Sequence, residues 1–163
     1  MNYDIVIIGG GPTGLNCAIA AHKAGLSYLV LEKGVLVNSI YNFPVNMTFF
    51  STSPVLEIGG IPFISHGDKP TRREALEYYR RIVETFDINI HLLEEVKSVD
   101  RLHEGFEVKT TKDSYTCAKV IVSTGYYDTP RLMNVPGEDL PKVKHYYDDP
   151  HVYIGMDVLV VGA

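Results

Sequence analysis

The sequence lacks the features that mark several classes of protein. It has two cysteines, Cys17 and Cys117. They lie too far apart in the chain for a Cys-x-x-Cys pair or a metal-ligand spacing, and are too few for a disulfide scaffold. Basic charge is not in excess. Fifteen Lys plus Arg stand against 20 Asp plus Glu, a formal charge of −5, which argues against a general nucleic-acid binder that must meet phosphates with basic surface. No apolar run approaches the ~18 residues of a membrane span. Met1-Asn2-Tyr3-Asp4 has no basic stretch, and the apolar run behind it stops at three glycines, which does not fit a signal peptide. These absences read most simply as a reduced, cytoplasmic protein with no metal centre, no nucleic-acid partner and no membrane partner.

What is present is ordinary for a globular chain. The hydrophobic fraction is 45% and the charged fraction 21%, which leaves out disorder, collagen and coiled coil. A length of 163 residues suits one domain, or one domain and a piece of another.

Ile5-Val6-Ile7-Ile8 is a short continuous apolar run, the pattern of a strand buried on both faces in a parallel sheet. Gly9-Gly10-Gly11-Pro12-Thr13-Gly14 follows it, then a helix predicted over Leu15–Ala24, rich in small residues and stopped by Gly25. A second apolar run, Tyr28–Leu31, closes at Glu32. Strand, glycine turn, helix and strand make a βαβ unit. Residues 34–70 are punctuated by glycine and proline and read mostly as loop, the kind of long irregular segment that covers a ligand. Thr71 and Glu74 fit a capping box that opens a helix over Arg72–Thr85, with Leu76, Tyr79 and Val83 facing the core. Asn89–Leu93 reads as a strand, Glu94–Thr116 as an antiparallel β-meander, and Lys119–Ser123 as a further buried strand ending at Thr124-Gly125. Asp157–Ala163 repeats the chemical outline of Tyr3–Gly10, a polar residue, an apolar strand and a glycine turn. A second βαβ unit is therefore expected to begin there, in a protein about twice as long.

The chemistry of the first unit explains its residue types. Gly9 allows a tight turn, Gly11 lets backbone approach a pyrophosphate, and Gly14 lets helix and strand pack closely. Helix N–H groups and the helix dipole then favour the anion. Glu32, 18 residues after Gly14, offers a carboxylate to two ribose hydroxyls and repels a 2′-phosphate, so NADP is not expected here and FAD or NAD remain. The inserted meander favours FAD. A glycine-rich turn beside a solvated glutamate is the plain alternative.

The order Gly9-Gly10-Gly11-Pro12-Thr13-Gly14, Glu32-Lys33, Ser123-Thr124-Gly125 and Val160-Val161-Gly162-Ala163 resembles the two-dinucleotide-binding flavoprotein superfamily, the pyridine nucleotide-disulfide oxidoreductases. Asn42-Phe43-Pro44, Phe49–Ser53, Leu56–Gly59, Pro62-Phe63 and Lys69–Arg80 are similar to its thioredoxin-reductase-like group considered to be bacillithiol disulfide reductases.

The resemblance implies an α/β, Rossmann-like FAD-binding domain over residues 1–150, with a parallel sheet and an inserted antiparallel meander. Residues 151–163 would be a connector and the first strand of a truncated NAD(P)H domain. It implies FAD and NADPH as cofactors, a small-molecule disulfide substrate and a homo-oligomer when full length. In that frame Gly9, Gly11, Pro12, Thr13 and Gly14 would hold the FAD pyrophosphate. Glu32 would hold the adenosine ribose with Lys33 beside it, Asn42 would lie near the flavin ring, and Val96 would meet the adenine through its backbone. Thr124 and Gly125 would pass close to FAD, and Gly162 would start the NADPH turn. This chain alone would not turn over.

Members with a proposed redox cysteine often carry it in the glycine turn, where this sequence has Thr13. Cys17, one helical turn on, reads as core filler, and no catalytic residue is assigned. A flavin monooxygenase-like enzyme and a non-catalytic nucleotide-binding module are the other readings.

Overall fold

A computed structural model describes residues 3–162. Its elements are β1 (Tyr3–Ile8), α1 (Pro12–Lys23), β2 (Tyr28–Leu31), α2 (Asn38–Tyr41), α3 (Arg72–Phe86), β3 (Ile90–His91), β4 (Val96–Arg101), β5 (Phe106–Thr110) and β6 (Ser114–Val122). Single 3₁₀ turns fall at Ser53–Leu56 and Pro150–Tyr153. The strands form one six-stranded sheet in the order β3-β2-β1-β6-β5-β4. β3, β2, β1 and β6 run parallel, while β5 and β4 are antiparallel additions at one side. This is the α/β fold with parallel sheet and meander that the sequence predicts.

Successive strand residues point to opposite faces, and the two faces build two cores. Ile7 and Val30 pack with Leu15 and Ile19 of α1 and with Tyr79 and Ile82 of α3. Val6, Leu29 and Leu31 pack instead with Val108, Tyr115 and Cys117 from the antiparallel strands. All four residues of β2 are therefore buried, which is why its sequence is continuous rather than alternating.

The helix ends follow their sequence signals. Pro12 takes the first helical position of α1, where a missing N–H costs nothing. Gly25, in the left-handed region at φ +68°, lets the chain leave the helix, with its N–H donating to His22 O and that of Leu26 to Ala21 O. Thr71 and Glu74 form the predicted capping box at the start of α3. Two backbone N–H groups and two side chains, from Thr71 and His66, donate to or share Glu74, and they hold its carboxyl down at about 2.

Several expectations are corrected. Tyr79 of α3 is buried as expected, but the other buried positions are Ala75, Tyr78 and Ile82, while Leu76 and Val83 sit half-buried against the same core. Tyrosine rings rather than aliphatic side chains reach the loop beyond. Tyr78 accepts from the Ile58 N–H and donates to Ile61 O, each at 2.9 Å, and Tyr79 donates to Leu56 O at 3.2 Å. Phe63 stacks on Tyr78 with centroids 4.3 Å apart. These contacts order the long loop before α3. The strand expected at Asn89–Leu93 shortens to β3, because Leu93 turns away at φ +54°.

Lys119–Ser123 is not a separate strand. Lys119–Val122 is the end of β6, whose first half pairs antiparallel with β5 and whose second half pairs parallel with β1, and Ser123 follows it. No strand forms at Asp157–Val161 among the described residues. Val158 to Val161 are exposed and have no neighbouring strand to donate to. Ala163 lies outside the described residues.

Candidate functional site

The parallel strands end together. Gly9 follows β1, Glu32 follows β2 and Ser123 follows β6, and all three open into a cleft of about 460 Å³ at the carboxyl end of the sheet. That volume lies in the range of about 300–1,000 Å³ usual for ligand pockets. Its position, outside the strand ends, is where open α/β sheets bind ligands.

The glycines act differently from one another. Gly9 has φ +108°, and a Cβ there would lie 2.5 Å from Ser123 O. A Cβ on Gly14 would lie 1.9 Å from Gly9 O, so its smallness seats α1 against the end of β1. Gly14 accordingly packs beneath the cleft and does not line it. A Cβ on Gly11 would meet nothing within 4 Å; its bareness leaves the cleft side open. Gly11, Pro12 and Thr13 line the cleft, and among the described residues no side chain caps this helix end. The first N–H groups of α1 are thus left for whatever enters.

Glu32 is only 6% exposed. Its Oε2 accepts from the Gly10 N–H at 2.7 Å and its Oε1 from the Gly34 N–H at 2.8 Å. The carboxylate therefore ties the glycine turn to the chain after β2. A carboxylate has about four acceptor positions, so two remain for hydroxyl donors. Beside it Lys33 pairs with Asp128 at 2.8 Å.

Behind the turn lies a second buried acid. Glu94, 3% exposed, accepts from Thr110 Oγ1 at 2.7 Å and Tyr115 Oη at 2.8 Å, and His91 Nδ1 lies 3.2 Å from its Oε2. Burial pushes its carboxyl up, but the two hydroxyls and His91 together hold it below the ordinary carboxylate range. Burial and Glu94 in turn push the Tyr115 phenol up. The Glu94 N–H donates to Glu32 O at 2.9 Å, so this cluster fixes the turn that delivers Glu95 and Val96 to the cleft.

Of the residues singled out from sequence, Gly9, Gly11, Pro12, Thr13, Glu32, Lys33, Val96, Thr124 and Gly125 line one cleft. Asn42 does not. Its Nδ2 donates to Asn38 O and its carbonyl accepts from Tyr127 Oη at 3.2 Å, so it braces the loop at the cleft's side. Gly162, at φ +85°, lies outside the cleft in the stretch without regular structure.

Cys17 is half-buried against the first core, and Cys117 is buried in the second with its thiol pushed up by burial. The two cysteines face opposite sides of the sheet and neither lines the cleft. Arg72 at the start of α3 is engaged with the short helix α2. Its Nε donates to Tyr41 O at 3.1 Å, and its guanidinium lies over the Tyr41 ring.

Sequence reasoning missed Val37 and Asp128, and it gave Ser123 no role beyond its place in the Ser123-Thr124-Gly125 motif. Ser123 Oγ lies 3.0 Å from Ile8 O and 3.1 Å from Gly9 O, and so latches β6 to the turn. Val37, buried at the cleft wall, adopts φ +48° and donates its N–H to Gly10 O at 3.2 Å. A β-branched residue there is strained by about 1–3 kcal/mol. No sequence signal marks such a position, because valine is the residue least expected in it.

The arrangement can hold a diphosphate on uncapped amides with a polyol beside a buried acid. Comparison with known proteins points the same way. A family model described as pyridine nucleotide-disulphide oxidoreductase matches residues 6–163. Bacilliredoxin reductase Bdr of Bacillus subtilis is 49% identical over 159 residues, covering 97% of this chain and 49% of that protein. The solved structure of bacillithiol disulfide reductase Bdr from Bacillus cereus superposes with a TM-score of 0.91 at 46% identity, covering 94% of this chain and 49% of that one. A flavin-containing monooxygenase from Stenotrophomonas maltophilia shares the fold, with a TM-score of 0.86 at 24% identity over 94% of this chain and 48% of that one. The chain spans about half the length of the curated relatives it matches.

Proposed function

The chain belongs to the pyridine nucleotide-disulphide oxidoreductase family, and from that premise we propose that its cleft holds the ADP portion of FAD in an NADPH-dependent reductase of a low-molecular-weight disulfide, such as bacillithiol disulfide. One observation carries the reading. The uncapped start of α1 lies between Gly9 and Gly14, where a larger residue would run into backbone, and a buried glutamate closes the far side. The residues therefore fit the group on their own chemistry.

Bound there, flavin would supply the two-electron chemistry that links a nicotinamide to a disulfide. The chain's part is to bind and orient. The α1 amides neutralise the diphosphate. The two free acceptor positions of Glu32 receive ribose hydroxyls, and Val96 presents backbone to the adenine. Thr124 and Gly125 form the wall on the flavin side. Gly162 would open the separate NADPH turn of a second domain over residues 151 onward, and the cleft described here would not bind that nucleotide. The Bacillus cereus Bdr supports the disulfide substrate through the activity in its name, bacillithiol disulfide reductase. A homo-oligomer and a cytoplasmic setting complete the proposal.

The test has two stages. Calorimetry of this chain with FAD should show saturable binding that the Glu32→Gln variant weakens. The corresponding full-length enzyme, reduced by NADPH, should lose its flavin absorbance and regain it on addition of bacillithiol disulfide. Absence of FAD binding to the chain would overturn the cleft assignment. Flavin reduction followed by oxygen consumption, with no disulfide turnover, would move the activity to the monooxygenase class.

A further inference from the structure

The cleft's charge is uneven. Glu32, Glu95 and Asp128 line it with carboxylates, against one ammonium on Lys33 among the described residues. That ammonium is already engaged, its Nζ 2.8 Å from Asp128 Oδ2, with Asp128 the better buried partner. The pair links the chain just after β2 to the chain just after β6, on either side of the cleft. Asp128 is held there independently of Lys33. The ring of its neighbour Tyr127 packs edge-on against Phe43 at 4.8 Å, and the Tyr127 hydroxyl donates to Asn42 O. The hydrogen bond that Lys33 donates to Asp128, with the nearby Asp128, Glu32 and Glu95 charges, favours the charged lysine and raises its pKa.

A diphosphate does not need this lysine, because the start of α1 serves it with amides. A phosphate on the ribose would need it. A cation beside the ribose-binding acid is what accommodates such a group in dinucleotide sites, and Lys33 stands in that place with its charge taken. Like charges brought together without a free counter-charge are strongly disfavoured. Resting on the nucleotide reading above, we propose that Asp128 is a specificity-determining residue. By holding Lys33 it keeps the adenosine end acidic, so the cleft admits dinucleotides with an unmodified ribose and rejects those whose ribose carries a phosphate.

The probes are ADP-ribose and 2′-phospho-ADP-ribose, titrated by calorimetry into this chain and its variants, with thermal melts as a folding check. The unaltered chain should prefer ADP-ribose. Asp128→Asn should narrow that preference by about threefold to fivefold, the scale of one partly exposed ion pair, through a gain for the phosphorylated probe. Added salt should erode the gain, and Asp128→Glu should restore the original preference. Adding Lys33→Met to Asp128→Asn should abolish the gain, because no lysine is then released.

If Asp128→Asn weakens both probes by one common factor, the residue merely braces its segment and the proposal falls. If both probes bind and no variant shifts their ratio, the proposal falls and the cleft assignment stands. If the unaltered, folded chain binds neither probe, the cleft assignment fails and takes the proposal with it.

Discussion

Two segments of this chain are written in nearly the same chemical outline and meet opposite fates. Tyr3-Asp4-Ile5-Val6-Ile7-Ile8 becomes β1, the strand flanked by β2 and β6, with Val6 and Ile7 fully buried and Gly9 turning the chain after it. Asp157-Val158-Leu159-Val160-Val161-Gly162 forms no ladder, and Leu159 is 87% exposed. Intrinsic preference for extended backbone is the same in both. What differs is company: β1 has a hydrogen-bonding neighbour on each edge and a core on each face, and the later segment has neither. A strand sequence states a readiness to pair, and the partner decides whether a strand exists.

The sharpest way to break this comparison is to truncate one β-branched residue to alanine in each segment. Ile7→Ala should lower stability by about 2–5 kcal/mol, the cost of a buried aliphatic truncation. Val160→Ala should change it by no more than about 0.5 kcal/mol. Urea denaturation of the two variants measures both, and equal losses would mean that the later segment is packed after all. The glycines extend the contrast. Gly14→Ala drives a methyl into Gly9 O and should cost upwards of about 2 kcal/mol, overpacking being worst where backbone must move. It should also abolish FAD binding in a calorimetric titration. Gly162→Ala meets open space, and only its positive φ penalises it, by about 1 kcal/mol.

At the cleft, Glu32→Gln keeps size but loses charge. It should weaken FAD binding by about 10- to 100-fold, the worth of a charge-assisted hydrogen bond, read by recovery of flavin fluorescence. The smallest effect lies away from both segments. Glu74, held down at about 2, contributes stability that is complete above its unfolded value of about 4.3. That contribution is lost as pH falls through about 2, because the unfolded chain takes up the proton first. Thr71→Ala should cost about 1 kcal/mol at neutral pH, and melts across pH 2–6 should show the difference shrinking at the acid end.

Much of the cleft was legible in the residues themselves. The glycine turn, the acid after β2 and the capping box of α3 are local chemistry, each needing only its neighbours in sequence to be recognised. What escaped depends on contacts far along the chain. β6 reads as two elements because its outline changes midway, from the alternation of Ser114–Cys117 to the continuous run of Val120–Val122. The change reflects a switch of partner and not a break in the strand. On α3, Tyr79 was legible as a core position, but Ala75, Tyr78 and Ile82 were not, and the hydroxyl of Tyr78 donates to a loop carbonyl that the sequence does not point to. Asp128 carries no local mark at all; only the fold brings it to a lysine 95 positions earlier in the chain.

β6 has a consequence for how this sheet tolerates change. A single nine-residue beam is stitched to a neighbour running with it at one end and to a neighbour running against it at the other. Deleting one residue from its middle would throw one of the two seams out of step and turn that half inside out. Length variation is therefore expected to collect in the hairpin tips around His103–Gly105 and Lys112-Asp113, leaving the beam itself at fixed length.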